Sequence, residues 1–495
     1  MSYATAHIDF RKNTQRVPPT MPVSVQKATT RFLGGRATLV DILGRDLWQE
    51  LRQAGHDLRL HAITHLDHYL EEAERAVTKS GGHVHWARDA TEACRLILEV
   101  AREHHVERVV KSKSMVTEEI GLNHAMEAAG IRVLETDLGE YIVQLAGVGP
   151  AHIVAPAFHL SKEEIAALFR AKLGVEAPAE AGLLCQIARQ ALREEFLAAD
   201  MGISGGNFLV AETGTIVMVT NEGNGRMCTT VPPLHVAVVA IDKIVPDWEC
   251  LTVLLKLLAR SATGQKITCY TSLISGPPRT AAEGGPREFH LVLLDNGRSR
   301  ILQSPACRET LLCIRCGACL NICPVYNSVG GYAYGWPISG PTGAMLAPQI
   351  LGTVVAGALP FASTLCGACN EICPVKIPIT EILLHLRHRV VEGEGREGPV
   401  APAMTRAGAK VGAVALGTPW LYRLGSRLVK LVQAPWRRDG WLSGLPPPLN
   451  RWTRARPFPA FAAEFRQWWR SRGGGKGYEF RTGRDSGEGP PLARP

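Results

Sequence analysis

Two periods of apolar and polar positions alternate along the first 300 or so residues. Leu60 to Lys79 carries apolar residues at three-to-four spacing, which predicts a helix, and Ala90 to Glu103 repeats the pattern. Arg108-Val109-Val110 reads as a short strand, Glu119 to Ala129 as a helix, and Ile131 to Leu134 as a strand. Ile153-Val154-Ala155 reads as a further strand, and Ser161 with Glu164 forms a capping-box signature that opens the next helix. Phe208 to Val210 and Thr215 to Thr220 flank Gly214 as paired strands, and Val236 to Ile241 and Leu291 to Leu294 are short apolar runs. Short strands alternating with helices over this length predict an α/β domain with a mostly parallel sheet.

At 495 residues the chain is too long for one hydrophobic core. The pattern divides it into an N-terminal extension (1–60) interrupted by Pro18, Pro19 and Pro22, an α/β domain (61–297), an α-helical cysteine-rich domain (298–385) and a basic C-terminal region (386–495). The net charge is +9, but residues 401–495 hold seventeen Lys and Arg against five Asp and Glu, so the body is slightly acidic. A basic tail suits an anionic membrane surface, nucleic acid or an acidic partner. Trp420, Trp436, Trp441, Trp452, Trp468 and Trp469 lie among its arginines, and Trp420 to Leu431 predicts a basic amphipathic helix suited to a lipid surface or a partner. Nucleic acid is not the expected partner. Gly473 to Pro495 has too few apolar residues to offset its ordering entropy and is expected to be disordered.

Cysteine spacing changes the picture most. Met1 to Arg11 lacks the apolar core of a secretory signal, so a reducing cytoplasm is expected, where clustered cysteines are metal ligands rather than disulfides. Cys313, Cys316, Cys319, Cys323 and Pro324 have the spacing C-x2-C-x2-C-x3-C-P, and Cys366, Cys369, Cys373 and Pro374 the spacing C-x2-C-x3-C-P. This is the bacterial ferredoxin pattern, in which the last cysteine of each run serves the other cluster. Cys313, Cys316, Cys319 and Cys373 are thus expected to hold one [4Fe–4S] cluster, and Cys323, Cys366 and Cys369 a second. A zinc ribbon needs two pairs and leaves this order unexplained. Ser363 stands where a full second motif would have cysteine. Three-thiolate coordination is the preferred reading; Ser363, water, substrate or Cys307 could fill the gap, or the cluster could open to a three-iron form, and Cys307 is not counted as a ligand. Cys94, Cys185, Cys228, Cys250 and Cys269 are isolated and read as ordinary small residues.

Pro324 to Asn370 is free of charge and partly strongly apolar. A membrane span here would part Cys323 from Cys373 by ~30 Å, so the stretch reads instead as a buried wrapping that keeps water from the clusters. No dinucleotide or P-loop signature is present. Two stretches are candidate anion sites: Lys111 and Ser112 in the turn after a strand, which otherwise read as a solvated loop, and Glu212, Asn221, Glu222, Asn224 and Arg226 around paired strands, able to hold a small carboxylate, or equally a hairpin with turn residues. His152 and His235 read as structural.

Lys111-Ser-Lys-Ser-Met115, Ala211-Glu-Thr-Gly214 and Thr220-Asn-Glu-Gly-Asn-Gly-Arg226, followed by Cys313-Ile-Arg-Cys-Gly-Ala-Cys319 and Leu365-Cys-Gly-Ala-Cys369, resemble the lactate-utilisation protein B family over roughly residues 60 to 385. The short second cysteine motif matches that family's pattern. The resemblance implies a LUD domain with a CoA-transferase-like α/β fold. It also implies a cytoplasmic iron–sulfur electron-transfer component of L-lactate oxidation to pyruvate, acting with two companion proteins; a flavin is not indicated in this sequence. The cysteine motifs alone leave open an iron–sulfur subunit for glycolate or a heterodisulfide, or a non-redox iron–sulfur protein. Whether catalysis occurs on this chain is left open, and peripheral contact of the tail with the inner face of the cell membrane is a further expectation.

Overall fold

The apolar runs become strands whose side chains alternate between two covered faces. The computed structural model describes residues 7–280, 283–394, 398–447, 450–453 and 457–461. Its first ten strands are β1 (His83–Ala87), β2 (Arg108–Lys111), β3 (Arg132–Glu135), β4 (Met201–Gly205), β5 (Phe208–Val210), β6 (Thr215–Thr220), β7 (Leu234–Ala240), β8 (Ile244–Val245), β9 (Tyr270–Ile274) and β10 (Glu288–Leu294). Six form an all-parallel sheet in the order β1-β10-β7-β4-β2-β3. At its centre every residue of β7 is buried. Val236 and Val238 pack with Ile97 and Met126 on one face, while Ala237 and Val239 pack with Leu70 and Val77 on the other. Burial on both faces is why this strand reads as a continuous apolar run. The remaining strands make a mixed sheet, β8-β5-β6-β9, in which β5 and β6 are the predicted antiparallel pair.

The helices follow from capping and from face. Asp89 caps Ala90–Glu103 by accepting from the Glu92 N–H, and the Ser161–Glu164 capping box makes both of its bonds. The predicted Leu60–Lys79 helix is split at His65 into Arg45–Thr64 and Leu66–Lys79. The predicted Glu119–Ala129 helix begins instead at Leu122, after Gly121 at φ 67°. Ile153-Val154-Ala155 is a bend and not a strand: the buried His152 Nδ1 accepts from the Val154 and Ala155 N–H groups at 3.1 and 3.2 Å, which curls the backbone away from a ladder. β1 and β4 had no clear apolar signature. In β4 a side chain at Gly202 would collide with the Cys228 carbonyl, so glycine lets the helix Asn224–Thr230 lie close against the sheet.

The N-terminal prolines open a helix rather than break one. Pro22 sits in the first turn of Met21–Leu43, where its missing N–H is harmless. That helix and Arg45–Thr64 pack on Trp248–Thr263, and the same core takes in the cysteine-rich segment. Gly340–Ile350, from the charge-free stretch, is buried from Gly340 to Gln349. Among the described residues no helix is long and apolar enough to cross a membrane. Residues 1–400 form one compact unit and 401–495 a second. The second contains the helices Ala403–Gly417 and Pro419–Val432, the latter close to the predicted basic helix. Gly473–Pro495 lies outside the described residues.

Candidate functional site

The two cysteine loops share one backbone device. Arg315 (φ 58°) and Gly317 (φ 76°) flank Cys316, and Leu365 (φ 55°) and Gly367 (φ 81°) flank Cys366. Left-handed residues on both sides of a cysteine curl the chain tightly around its sulfur. Each loop then runs into a short helix, Ala318–Ile322 or Ala368–Ile372, that these two helices pack against one another.

This packing sorts the thiols into two sets. Cys313, Cys316, Cys319 and Cys373 line one small cavity closed by Ile153, Thr342, Met345 and Val375. Cys323, Cys366 and Cys369 do not line that cavity and make up the other set. In the first set burial pushes Cys319 well above the usual thiol range and Cys373 up to about 11. Burial acts in the same direction on Cys313, but Arg315 and Lys243 outweigh it and hold that thiol below its ordinary value. In the second set Cys366 is exposed, and its ionisation is eased by the Ala368 N–H and the Thr364 side chain. The donor set fits iron–sulfur clusters: four cysteines on one void, three buried and Cys313 half-buried, with Cys323 and Cys373 sulfurs already accepting from the Tyr326 and Ile377 N–H groups at 3.5 and 3.4 Å. The Ser363 hydroxyl accepts from the Leu365 N–H at 3.1 Å. Cys307 is buried beside Ser304 and Arg389.

Cations from distant parts of the chain hold the cysteine loops by their backbone carbonyls. Lys243 Nζ donates to Cys313 O at 2.8 Å and pairs with Asp242 at 2.8 Å. Arg52 donates to Cys373 O at 2.9 Å and Arg36 to Ile372 O at 3.2 Å. The fully buried Arg59 bonds the carbonyls of Ile244, Leu311 and Asp242. None of these four was singled out from sequence, because nothing local marks them.

A second cavity, of about 390 Å³, adjoins the first, and Ile153, Ile314 and Arg315 line both. It collects Ser112, Asn221, Glu222 and Asn224 of the predicted anion residues, together with Lys113, Asp137 and Lys243. Burial, with Asp137 adding to it, raises the Glu222 carboxyl to about 6. Asn224 is 7% exposed, and its Oδ1 has no hydrogen-bond partner. The other three predicted residues do not line this cavity. Lys111 is buried and spent on Glu135 and Glu118, at 2.7 and 3.0 Å. Glu212 is exposed in a turn whose Gly214 admits the backbone of Val77. Arg226 lies over the Tyr270 ring, 5.0 Å from its centroid. His152 and His235 are buried, bonded to Asn321 and Ser204 at 3.2 and 2.8 Å.

Three family models match the chain: the LUD domain over residues 70–294, the 4Fe-4S dicluster domain over 309–377, and the lactate utilisation protein B C-terminal region over 385–474. Proteins named Lactate utilization protein B from Bacillus licheniformis and Bacillus thuringiensis are each 44% identical over 456 residues, covering 92% of this chain and 94% and 95% of theirs. A crystal structure of a DUF162 family protein from Deinococcus radiodurans aligns with 46% of this chain and 98% of its own at 16% identity, with a TM-score of 0.26.

Proposed function

The chain belongs to the lactate utilization protein B family, and from that footing we propose that it is the iron–sulfur electron-transfer component of a complex that oxidises L-lactate to pyruvate. The observation that carries this reading is the convergence of Cys313, Cys316 and Cys319 with Cys373 of the second motif on one cavity. In the proposal these four hold one [4Fe–4S] cluster. Cys323, Cys366 and Cys369 hold a second, with a fourth ligand that is not cysteine or in a three-iron form. Such clusters accept and pass one electron at a time. The residues around the first set exclude water, and Lys243 and Arg315 offset the negative charge of its thiolates. The exposed Cys366 puts the second set on the side open to a redox partner.

The larger cavity is proposed as the site of a small hydroxycarboxylate. Lys113 and Arg315 suit the carboxylate, and the unpartnered Asn224 Oδ1 suits a hydroxyl donor. Glu222, held at about 6, exchanges a proton near neutrality. In this scheme residues 61–297 supply most of the ligand site, 298–385 supply the clusters and Arg315, and 386–495 a surface for the companion subunits or the inner face of the membrane. The test is anaerobic reconstitution of the chain alone and with its companion subunits, followed by EPR during titration with L-lactate, glycolate and a heterodisulfide. Two reducible clusters are expected in the chain, reduced by lactate only when the companions are present. Clusters that stay oxidised under lactate in the complete complex refute the assignment.

A further inference from the structure

At the opposite edge of the parallel sheet, the amino ends of β1 and β10 carry a cluster of histidines that the cysteine chemistry does not use. Side chains alternate along a strand, so His83 and His85 share one face of β1, and Glu288 and His290 share one face of β10. His83 and His290 are direct partners across the parallel pair. Ligand atoms of His83, Glu288 and His290 lie within 4.8 Å of one another. His290 Nε2 is 3.5 Å from Glu288 Oε2 and has no hydrogen-bond partner, in a residue only 6% exposed.

The surrounding contacts are those that orient metal ligands. A metal-bound imidazole usually engages its other ring nitrogen with a neighbour that fixes its orientation. His290 Nδ1 meets His85 Nε2 at 2.9 Å, with the two rings stacked at 12°, which leaves Nε2 facing Glu288. His104, just past the helix Ala90–Glu103, approaches the Glu288 carboxylate at 3.3 Å. Two imidazoles and one carboxylate suit zinc or a similar divalent transition ion, with the remaining positions left to water. The His83 ring is stacked on that of His290, 4.8 Å between centroids, and, being exposed, has to turn for its nitrogen to meet an ion at a bond of about 2.0–2.2 Å.

We infer that His83, Glu288 and His290 form a binding site for a divalent transition-metal ion of the zinc class, separate from the cysteine clusters, that ties the edge strand β1 to β10. The experiment is zinc titration of the anaerobically prepared, cluster-loaded full chain by calorimetry, with zinc-edge X-ray absorption on the same sample and iron counted before and after. One equivalent is expected, with nitrogen and oxygen neighbours at about 2.0–2.1 Å, no sulfur shell and unchanged iron. His83→Ala and Glu288→Gln each change a partly exposed side chain and are expected to weaken binding at least tenfold while keeping iron content and circular dichroism. His85→Phe, which removes the orienting contact, is expected to weaken it roughly 10–100-fold. A sulfur shell near 2.3 Å, the absence of binding, or an affinity that His83→Ala leaves unchanged overturns the inference.

Discussion

Arg298→Met tests whether a buried ion network joins the sheet to the cysteine loop. The Arg298 side chain is wholly buried. It grips both oxygens of Glu119 at 2.9 Å and Asp242 Oδ1 at 2.6 Å. Burial alone would push Asp242 up, but Lys243 and Arg298 outweigh it and hold the carboxyl far below its ordinary range. Asp242 in turn pairs with Lys243, which bonds the carbonyl of Cys313. Methionine fills similar volume without the charge. Asp242 keeps Lys243, whereas Glu119 loses both guanidinium bonds and keeps Asn296 at 2.7 Å. Stranding one member of a buried pair costs ~3–5 kcal/mol. The unit spanning residues 1–400 unfolds with an entropy of about 0.8 kcal/mol/K, so the expected fall in Tm is about 4–6 °C. Adding Glu119→Gln removes the stranded charge and is expected to restore at least half of the loss. The assay is thermal unfolding of the cluster-loaded protein under argon, followed by far-ultraviolet circular dichroism and by bleaching of the iron–sulfur absorption. A single variant within about 1 °C of the parent, or a double variant no more stable than the single, refutes the reasoning.

Cys373→Ser is expected to lower iron from about eight towards about four per chain and to erase the EPR signal that Cys313→Ser also erases, while Cys323→Ser acts on the signal lost in Cys369→Ser; the opposite pairing would dismiss the crossed ligation. The raised pKa of Glu222, about 6, favours its protonated form in the fold, so its contribution to stability is present below about pH 4.5 and lost as pH rises through 6. Glu222→Gln should accordingly stabilise the protein by about 2 kcal/mol at pH 8 and by less at pH 5.5, and a pH-independent difference in urea midpoint would contradict this. In the helix Pro419–Val432, Trp420, Leu424, Leu428 and Leu431 are exposed on one stripe. Replacing Arg423, Arg427 and Lys430 by Gln should weaken pelleting with anionic vesicles at low salt by roughly a hundredfold, and a parent protein that does not pellet removes the membrane proposal.

What could be read from the chain was what is local. Ala90–Glu103 has its cap and its apolar stripe within one stretch, and the buried strands β7 and β10 are nearly unbroken apolar runs. β1 escaped notice because His83, His85 and Trp86 dilute its apolar alternation, and β4 because glycines stand where its neighbours need room. The N-terminal helices were obscured by prolines that lie before or within a first turn. At the site, sulfur spacing marks the cysteines because a loop of a few residues brings most of them together. Lys111 shows the converse limit. Its turn looks suited to an anion, yet only the fold reveals that Glu135 and Glu118 already occupy its ammonium.

The cations around the cysteine loops tie distant parts of residues 1–400 together. A guanidinium or ammonium bound to backbone carbonyls neutralises without competing for sulfur, so it stabilises a charged centre and fixes the loop at once. Arg36 and Arg52 hold the second cysteine motif from the N-terminal helices, while Lys243 holds the first from the end of the sheet. The loop carrying Cys313 and the loop carrying Cys373 are thus braced from separate parts of the chain onto a shared cavity. Because Arg315 lines both that cavity and the larger one, a carboxylate bound beside it lies against the buried sulfur set, while the exposed Cys366 lies in the other. In the proposed role the two sulfur sets thus stand at different depths, the first within the fold and the second where a partner subunit can reach Cys366.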